Sequence, residues 1–377
     1  MRGSKLLKQS NFDIVLILLT FVCILFGCVI INSAVKSYGE NSYVLIQLLA
    51  ALAGVAVMVM IAFSDYERLG SYVKLIYIIS ILALVAVLLI GTGRESTGSK
   101  SWIRFGPVGI QPSEFVKIGF IISFSKLCSN YGSAINKPKN IIKLLMFTGV
   151  LLGLIMLQPD FGTTMVFIVI FCGIIFAAGI SYKYIIGTAL AIVAAVPLVW
   201  NLVLKEYQKN RIRVFLNPES DPLGSGYHVM QSKITIGSGG IFGKGLGQGT
   251  QTQLEILPVK HTDFIYSVVG EELGLVGCLA VAILLFALVF RCIYNAKNAK
   301  NSYGSYICIG VACMFLAHIF ENIGMCLGLM PVTGIPLPFF SYGGSSMVTN
   351  LMAIGLVLAV RRKQDEIDFE TDVDLTN

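Results

Sequence analysis

Ten apolar runs, each close to the length of a bilayer crossing, leave almost no stretch of this chain able to fold as a soluble domain. They fall at about 13–32, 44–63, 72–92, 113–128, 142–157, 164–180, 183–203, 263–291, 304–329 and 345–360. A hydrocarbon core about 30 Å thick takes roughly 20 mostly apolar residues per helix. Charged residues make up 13% of the chain, against about 25% in soluble domains. The first run is too long for a cleavable signal peptide, and no small-residue cleavage site clearly follows it. The expected fold is therefore all-α and polytopic. A single membrane domain covers 1–363, and a polar, acidic tail over 364–377 has the composition of a disordered segment.

Ten spans put both termini on one side. With the N-terminus inside, most of the 28 Lys and Arg fall in inner segments. The short outer loops carry only Lys36, Arg94, Lys100 and Arg104. The positive-inside rule then favours cytoplasmic termini, even with the long outer loop counted. The net charge of +7 is mostly this bias and does not suggest nucleic-acid binding. Nine cysteines are scattered, mostly through the apolar runs, with no CxxC. They read as small core hydrophobes rather than a disulfide framework or zinc site.

Two outer loops are substantial, at about 93–112 and 204–262. Loops as long as the second are usually functional or disordered. Here Val229, Met230, Ile234, Ile236, Ile241 and Phe242 alternate with glycines, so the segment is expected to fold against the membrane surface. Its glycine run, 237–245, is not a phosphate loop: that motif needs Gly at 238 and Ser or Thr at 245, after a buried strand.

Charge within a span is costly, at least about 2.5–3.5 kcal/mol near the bilayer centre, and usually faces a cavity. Three places carry it. Glu114 and Lys117 are three apart on span four, near its outer end, behind Pro112 in a first helical turn. They are either a self-neutralising pair or cavity residues. His261-Thr262-Asp263 precedes Glu271-Glu272. Thr262 reads as an N-cap, so Asp263, Ser267, Gly270, Glu271 and Gly274 share one face. Glu271 is then about 12 Å deeper than Asp263. From spacing alone, Asp263 fits an ordinary first-turn acid opposite the helix dipole. His318 and Glu321 are three apart and could pair, ahead of the proline-rich loop 330–338. Ser341 to Ser346 then opens span ten with amides able to hold an anion. Together these groups converge on an outer-facing cavity, which suits either a transporter or an enzyme acting on a membrane-anchored polar substrate.

At these motifs the sequence resembles the SEDS family, the shape, elongation, division and sporulation proteins that include RodA and FtsW. The matching residues are Trp102-Ile103-Arg104, Gln111-Pro112-Ser113-Glu114 with Lys117, Gln158-Pro159-Asp160-Phe161-Gly162-Thr163, Phe215-Leu216-Asn217-Pro218, Gly226-Tyr227-His228 through Gln231-Ser232-Lys233, Gly237-Ser238-Gly239-Gly240, Leu257-Pro258 with His261-Thr262-Asp263-Phe264, Glu271-Glu272-Leu273-Gly274, Pro331 through Pro338, and Ser341 through Ser346. They run through nearly the whole chain in family order, without departure at these positions. Gly226-Tyr227-His228, Gln231-Ser232-Lys233 and Gln248-Gly249-Thr250-Gln251 look more like RodA than FtsW.

The resemblance implies a ten-span peptidoglycan glycosyltransferase of the bacterial cytoplasmic membrane, with its large outer loop between helices 7 and 8. It would polymerise lipid II on the outer face during elongation. The resemblance also implies a single-pass class B penicillin-binding protein as partner, alongside other elongation-complex proteins. It makes Asp263 the leading catalytic residue. Trp102, Glu114, Lys117, Arg211, Arg213, Gln231, Lys233, His261, Ser341 and Tyr342 become expected substrate-binding residues. A carboxylate can act as general base towards the acceptor hydroxyl. Lys117, Arg211 and Arg213 are candidate cations for the leaving pyrophosphate, and a divalent cation, Mg or Mn, could assist them. Asp160 is either a further site residue or the cap of span six. A lipid II flippase and a non-catalytic scaffold are the competing readings.

Overall fold

The computed structural model describes residues 12–39, 42–93, 99–105, 108–198, 206–221 and 224–374. Each of the ten apolar runs forms a helix: α1 (Ile14–Ala34), α2 (Ser42–Phe63), α3 (Val73–Ile90), α4 (Pro112–Tyr131), α5 (Pro138–Leu157), α6 (Phe161–Ala177), α7 (Tyr182–Leu198), α10 (Ile265–Lys297), α11 (Ser302–Cys326) and α12 (Gly344–Asp374). Between α7 and α10 lie α8 (Glu206–Leu216) and α9 (Ser225–Ser238). By length and composition, seven of the ten could cross a membrane. The other three are α4, which carries Glu114, Lys117 and Lys126, and the 17-residue α6 and α7.

The bundle explains how α4 tolerates its charges. Glu114 and Lys117 are buried, and α4 packs against α3, α11 and α12. α11 and α12 are central, with 67% and 78% of their span windows buried, against 22% in α2. α2, α3 and α5 thus present apolar side chains outward, as lipid-facing helices do. At one end of the bundle Asp13 caps α1 and takes Arg291 Nε at 2.7 Å and Asn295 Nδ2 at 2.6 Å. This pins the start of α1 to the end of α10.

The segment between α3 and α4 holds a hairpin, β1 (Ile103–Phe105) antiparallel to β2 (Val108–Ile110), with Ile103 opposite Ile110. Ser345 ties it to α12, accepting from Gln111 N and donating to Gly109 O. The backbone of α12 stays helical to Asp374, through the polar stretch whose composition suggests disorder; helical backbone needs only its own local hydrogen bonds.

The long segment between α7 and α10 is built into the bundle. α9 buries Val229, Ser232 and Thr235 and packs on α10, while Met230, Ile234, Ile241 and Phe242 stay exposed. The glycine run docks into a break in α10. Gly274, at φ +66° and ψ −161°, interrupts that helix. Leu275 N and Val276 N then donate to Gly240 O and Ile241 O, while Glu271 O and Glu272 O accept from Lys244 N and Gly245 N. The loop thus pairs two amides and two carbonyls at the break, as a membrane-embedded backbone requires. Only glycine permits this approach. A Cβ on Gly243 would lie 2.2 Å from Glu272 O, and one on Gly274 2.4 Å from Gly243 N.

Gly243→Ala should therefore lower the thermal unfolding midpoint strongly, at a cost of about 2 kcal/mol or more from its φ of +78° and the backbone clash. Gly237→Ala, a helical site with nothing within 4 Å, should be neutral or stabilising by up to about 1 kcal/mol. Equal midpoints for the two variants in detergent would rule out the docked loop.

Candidate active site

Asp263 lies in a turn just ahead of α10, not in its first turn. The helix begins at Ile265 behind Phe264, with no side-chain cap. Thr262 does not cap it: its hydroxyl donates back to Val259 O. Val259 has φ +49°, a genuine outlier for a β-branched residue, and its carbonyl also accepts from the amides of Thr262 and Phe264. This strained turn lifts Asp263 off the helix axis. The face expected to run from Asp263 to Gly274 serves instead as the dock for the outer loop. Ser267 pairs with Ser232 at 2.6 Å, and Gly270 meets Ile236.

The Asp263 backbone is held from across the fold. The carbonyls of His261, Thr262 and Asp263 accept, in order, from Tyr342 N (2.9 Å), Ser341 Oγ (2.7 Å) and Asn322 Nδ2 (2.8 Å). Asn322 also donates to Ile335 O at 2.8 Å. Buried Gln47 braces the Ser341 segment, donating to Ser341 O and accepting from Gly343 N. The amides of Tyr342 and Gly343, expected as an anion cradle, are thus already committed. His261 sits among Tyr38, Tyr43 and Tyr342, with ring centroids 5.9, 5.2 and 5.7 Å away. His228 of α9 stacks on Phe264.

The Asp263 side chain is half-buried, with Oδ2 3.5 Å from where a side chain on Gly334 would begin. Burial lifts this carboxyl to about 6, against the opposing pull of the Thr262 side chain. Burial, then the Lys260 charge, pushes the His261 imidazole down. Burial also lowers Lys260, which donates to Ser37 Oγ and Thr252 O.

On the other side of the same proline-rich loop, Lys117 Nζ lies 2.7 Å from Glu114 Oε1 and 2.7 Å from His318 Nε2. His318 Nδ1 is 3.1 Å from Pro336 O. A carbonyl can only accept, so the Nδ1 proton points there and Nε2 accepts from Lys117. His318 therefore pairs with Lys117, not with Glu321 as the spacing suggested. Removing one partner of such a buried pair typically costs about 3–5 kcal/mol, so Lys117 and Glu114 act first as a bolt between α4 and α11.

Glu271 and Glu272 prove structural. Glu271 accepts from Lys244 Nζ (2.8 Å), Gln251 N (2.8 Å), Thr252 N (2.9 Å) and Thr252 Oγ1 (2.8 Å). Glu272 accepts from Ser33 and Gln253. Asp160 caps α6, taking Thr163 N at 3.0 Å and its hydroxyl at 2.9 Å. Burial raises this carboxyl.

The remaining expected residues are more dispersed. Trp102 lies on Gly109 of its own hairpin. Gln231 is half-buried in α9. Lys233 is exposed and runs along Gly328. Arg213 pairs with exposed Glu206 at 3.3 Å, and the Arg211 side chain lies outside the described residues. Among the described residues no three His, Cys, Asp or Glu side chains group as metal ligands. Gln47, Lys260 and Asn322 have roles that show only in the fold, since a lone polar residue carries no periodicity.

Comparison with known proteins places this geometry. The family model described as "Cell cycle protein", spanning FtsW, RodA and SpoVE, matches residues 10–366. The chain is 37% identical over 355 residues to the peptidoglycan glycosyltransferase MrdB of Escherichia coli K12, covering 93% of this chain and 94% of that one. It is 36% identical over 370 residues to the stage V sporulation protein E of Bacillus subtilis, covering 94% and 98%. Among solved structures it resembles a chain from work on structural coordination of polymerization and crosslinking by a peptidoglycan synthase complex (TM-score 0.82, 29% identity, 94% and 98% covered). It also resembles the rod shape determining protein RodA of Thermus thermophilus (TM-score 0.71, 26% identity, 94% and 98% covered). The chain is an integral membrane protein of the FtsW, RodA and SpoVE family of cell cycle proteins.

Proposed function

We propose that this protein is a peptidoglycan glycosyltransferase that polymerises lipid II into glycan strands during cell elongation, releasing undecaprenyl diphosphate. The carrying observation is Asp263: a half-buried carboxylate, fixed by three consecutive backbone carbonyls and facing the proline-rich loop. Relatives named peptidoglycan glycosyltransferase support the reaction class. The acceptor sugar hydroxyl gives its proton to Asp263 as its oxygen attacks the anomeric carbon of the lipid-linked donor. The bond from that carbon to the pyrophosphate oxygen breaks, and the configuration inverts. Arg213 and Lys233, exposed on the outer segment, are the proposed cations for the departing pyrophosphate. A divalent ion, Mg or Mn, would supply further positive charge for the departing pyrophosphate, and Asp263 is the carboxylate that could help to hold it.

Enzyme is favoured over flippase by the relatives named peptidoglycan glycosyltransferase.

Asp263→Asn keeps shape but loses the proton acceptor. Polymerisation from purified lipid II should fall about 10²–10⁴-fold with folding intact. An Asn variant with near-normal turnover would remove Asp263 from the mechanism. In the wild type, a carboxyl near 6 is neutral below that pH and cannot accept the proton. kcat/KM should therefore drop about tenfold per pH unit below about 6 and level off above it.

The proposed orientation puts both termini in the cytoplasm and the α7–α10 segment outside. In a Cys-free background, a cysteine at Gln251 should label from outside intact cells and one at Lys139 should not. The reverse pattern would remove the outer-face mechanism.

The proposed partner is a single-pass class B penicillin-binding protein, acting with other elongation-complex proteins. The similarity in fold to a chain from a peptidoglycan synthase complex supports such an assembly. Co-purification with such a partner should raise polymerase activity; no gain at saturating partner would count against the coupling.

A further inference from the structure

We propose that Glu321 is a substrate-positioning residue. With Thr333 it forms a buried hydrogen-bonding pair that takes hydroxyl or amide N–H donors of a bound sugar ring. This rests on the glycosyltransferase reading above.

Glu321 stands one turn after His318 on α11 and is 7% exposed. Neither carboxyl oxygen, nor the Thr333 hydroxyl, makes a hydrogen bond of good geometry, although the two side chains approach each other. Glu321 also faces Lys117 and Asp160, but both are engaged elsewhere. Lys117 is held by Glu114 and His318, and Asp160 by Thr163. A buried carboxyl without partners is costly for a fold to carry. Glu271 is surrounded by donors, and Glu114 has one oxygen on Lys117 and one unpaired. Among the described acids Glu321 is the one with both buried oxygens unpaired, which is best explained by something that binds there.

The chemistry narrows what binds. Beside each other, a carboxyl group and a hydroxyl accept hydrogen bonds at every oxygen and donate at most two, so a ligand rich in donors suits them best. A pyrophosphate brings acceptors alone; a hydroxyl-rich ring with an amide N–H fits. The position agrees. Thr333 precedes Gly334, which faces Asp263, and Asn322, next to Glu321, holds the Asp263 carbonyl. Glu321 and Thr333 are thus the chain neighbours of the residues that hold and face Asp263, and the sugar delivered to Asp263 is the ligand proposed to extend to them.

The test compares lipid II binding by the Asp263→Asn protein, alone and combined with Glu321→Gln or Glu321→Leu. It adds KM, kcat and thermal unfolding of the single Glu321 variants. Loss of a hydrogen bond to this carboxyl should weaken lipid II binding and raise KM about tenfold, with kcat changed little. The unfolding midpoint should be unchanged or higher, because a buried carboxyl without partners has been removed. Unaltered affinity and KM would overturn the proposal. So would a lowered midpoint in both variants, which would mark a structural partner. The binding comparison is repeated in EDTA and in Mg²⁺ or Mn²⁺. A difference that vanishes in EDTA would show that Glu321 holds a cation and would also overturn it. Wild-type protein that binds lipid II without polymerising it would strike the enzyme reading alone and leave the binding comparison to decide Glu321.

Discussion

No backbone amide or carbonyl can be left unpaired in hydrocarbon, and the end of this bundle that carries Asp263 is arranged around that constraint. α10 is broken at Gly274, and two amides and two carbonyls there are paired by residues 240–245. Ahead of α10, the chain stays irregular at 259–264, and three carbonyls in a row are taken by α11 and the 341–342 segment. Irregular backbone is tolerated here because distant elements complete it, and that same irregularity sets Asp263 away from the helix.

The charges divide by whether they are satisfied. Glu114, Lys117 and His318 bolt α4, α11 and the proline-rich loop together. Glu271 and Glu272 hold the outer loop, and Asp160 caps α6. Each has the partners that make a buried charge tolerable. Asp263 and Glu321 keep their carboxylates largely free on either side of one short loop. A rigid frame of satisfied charges around two unsatisfied ones is the arrangement expected where a polar substrate must be held and a proton moved. It also explains why presence in a motif does not equal a part in chemistry: most of these residues position others.

The amino-acid sequence by itself determined the ten helices, because apolar length is a local property that the bilayer reads directly. It also singled out the neighbourhoods of Glu114, Asp263 and His318, since charge in an apolar run is conspicuous whatever surrounds it. It could not assign partners. His318 lies three residues from Glu321, yet it bonds to Lys117, 201 residues away; Thr262 had the residue type of a cap, yet the strained turn at Val259 directs its hydroxyl elsewhere. The polar face from Ser267 to Gly274 was legible as a face, but whether it lined a cavity or received the outer loop depended on where α9 and the glycine run packed. Only the tertiary structure decided which charges are spent on holding the fold and which are left for substrate, because that depends on donors brought from helices far apart in the chain.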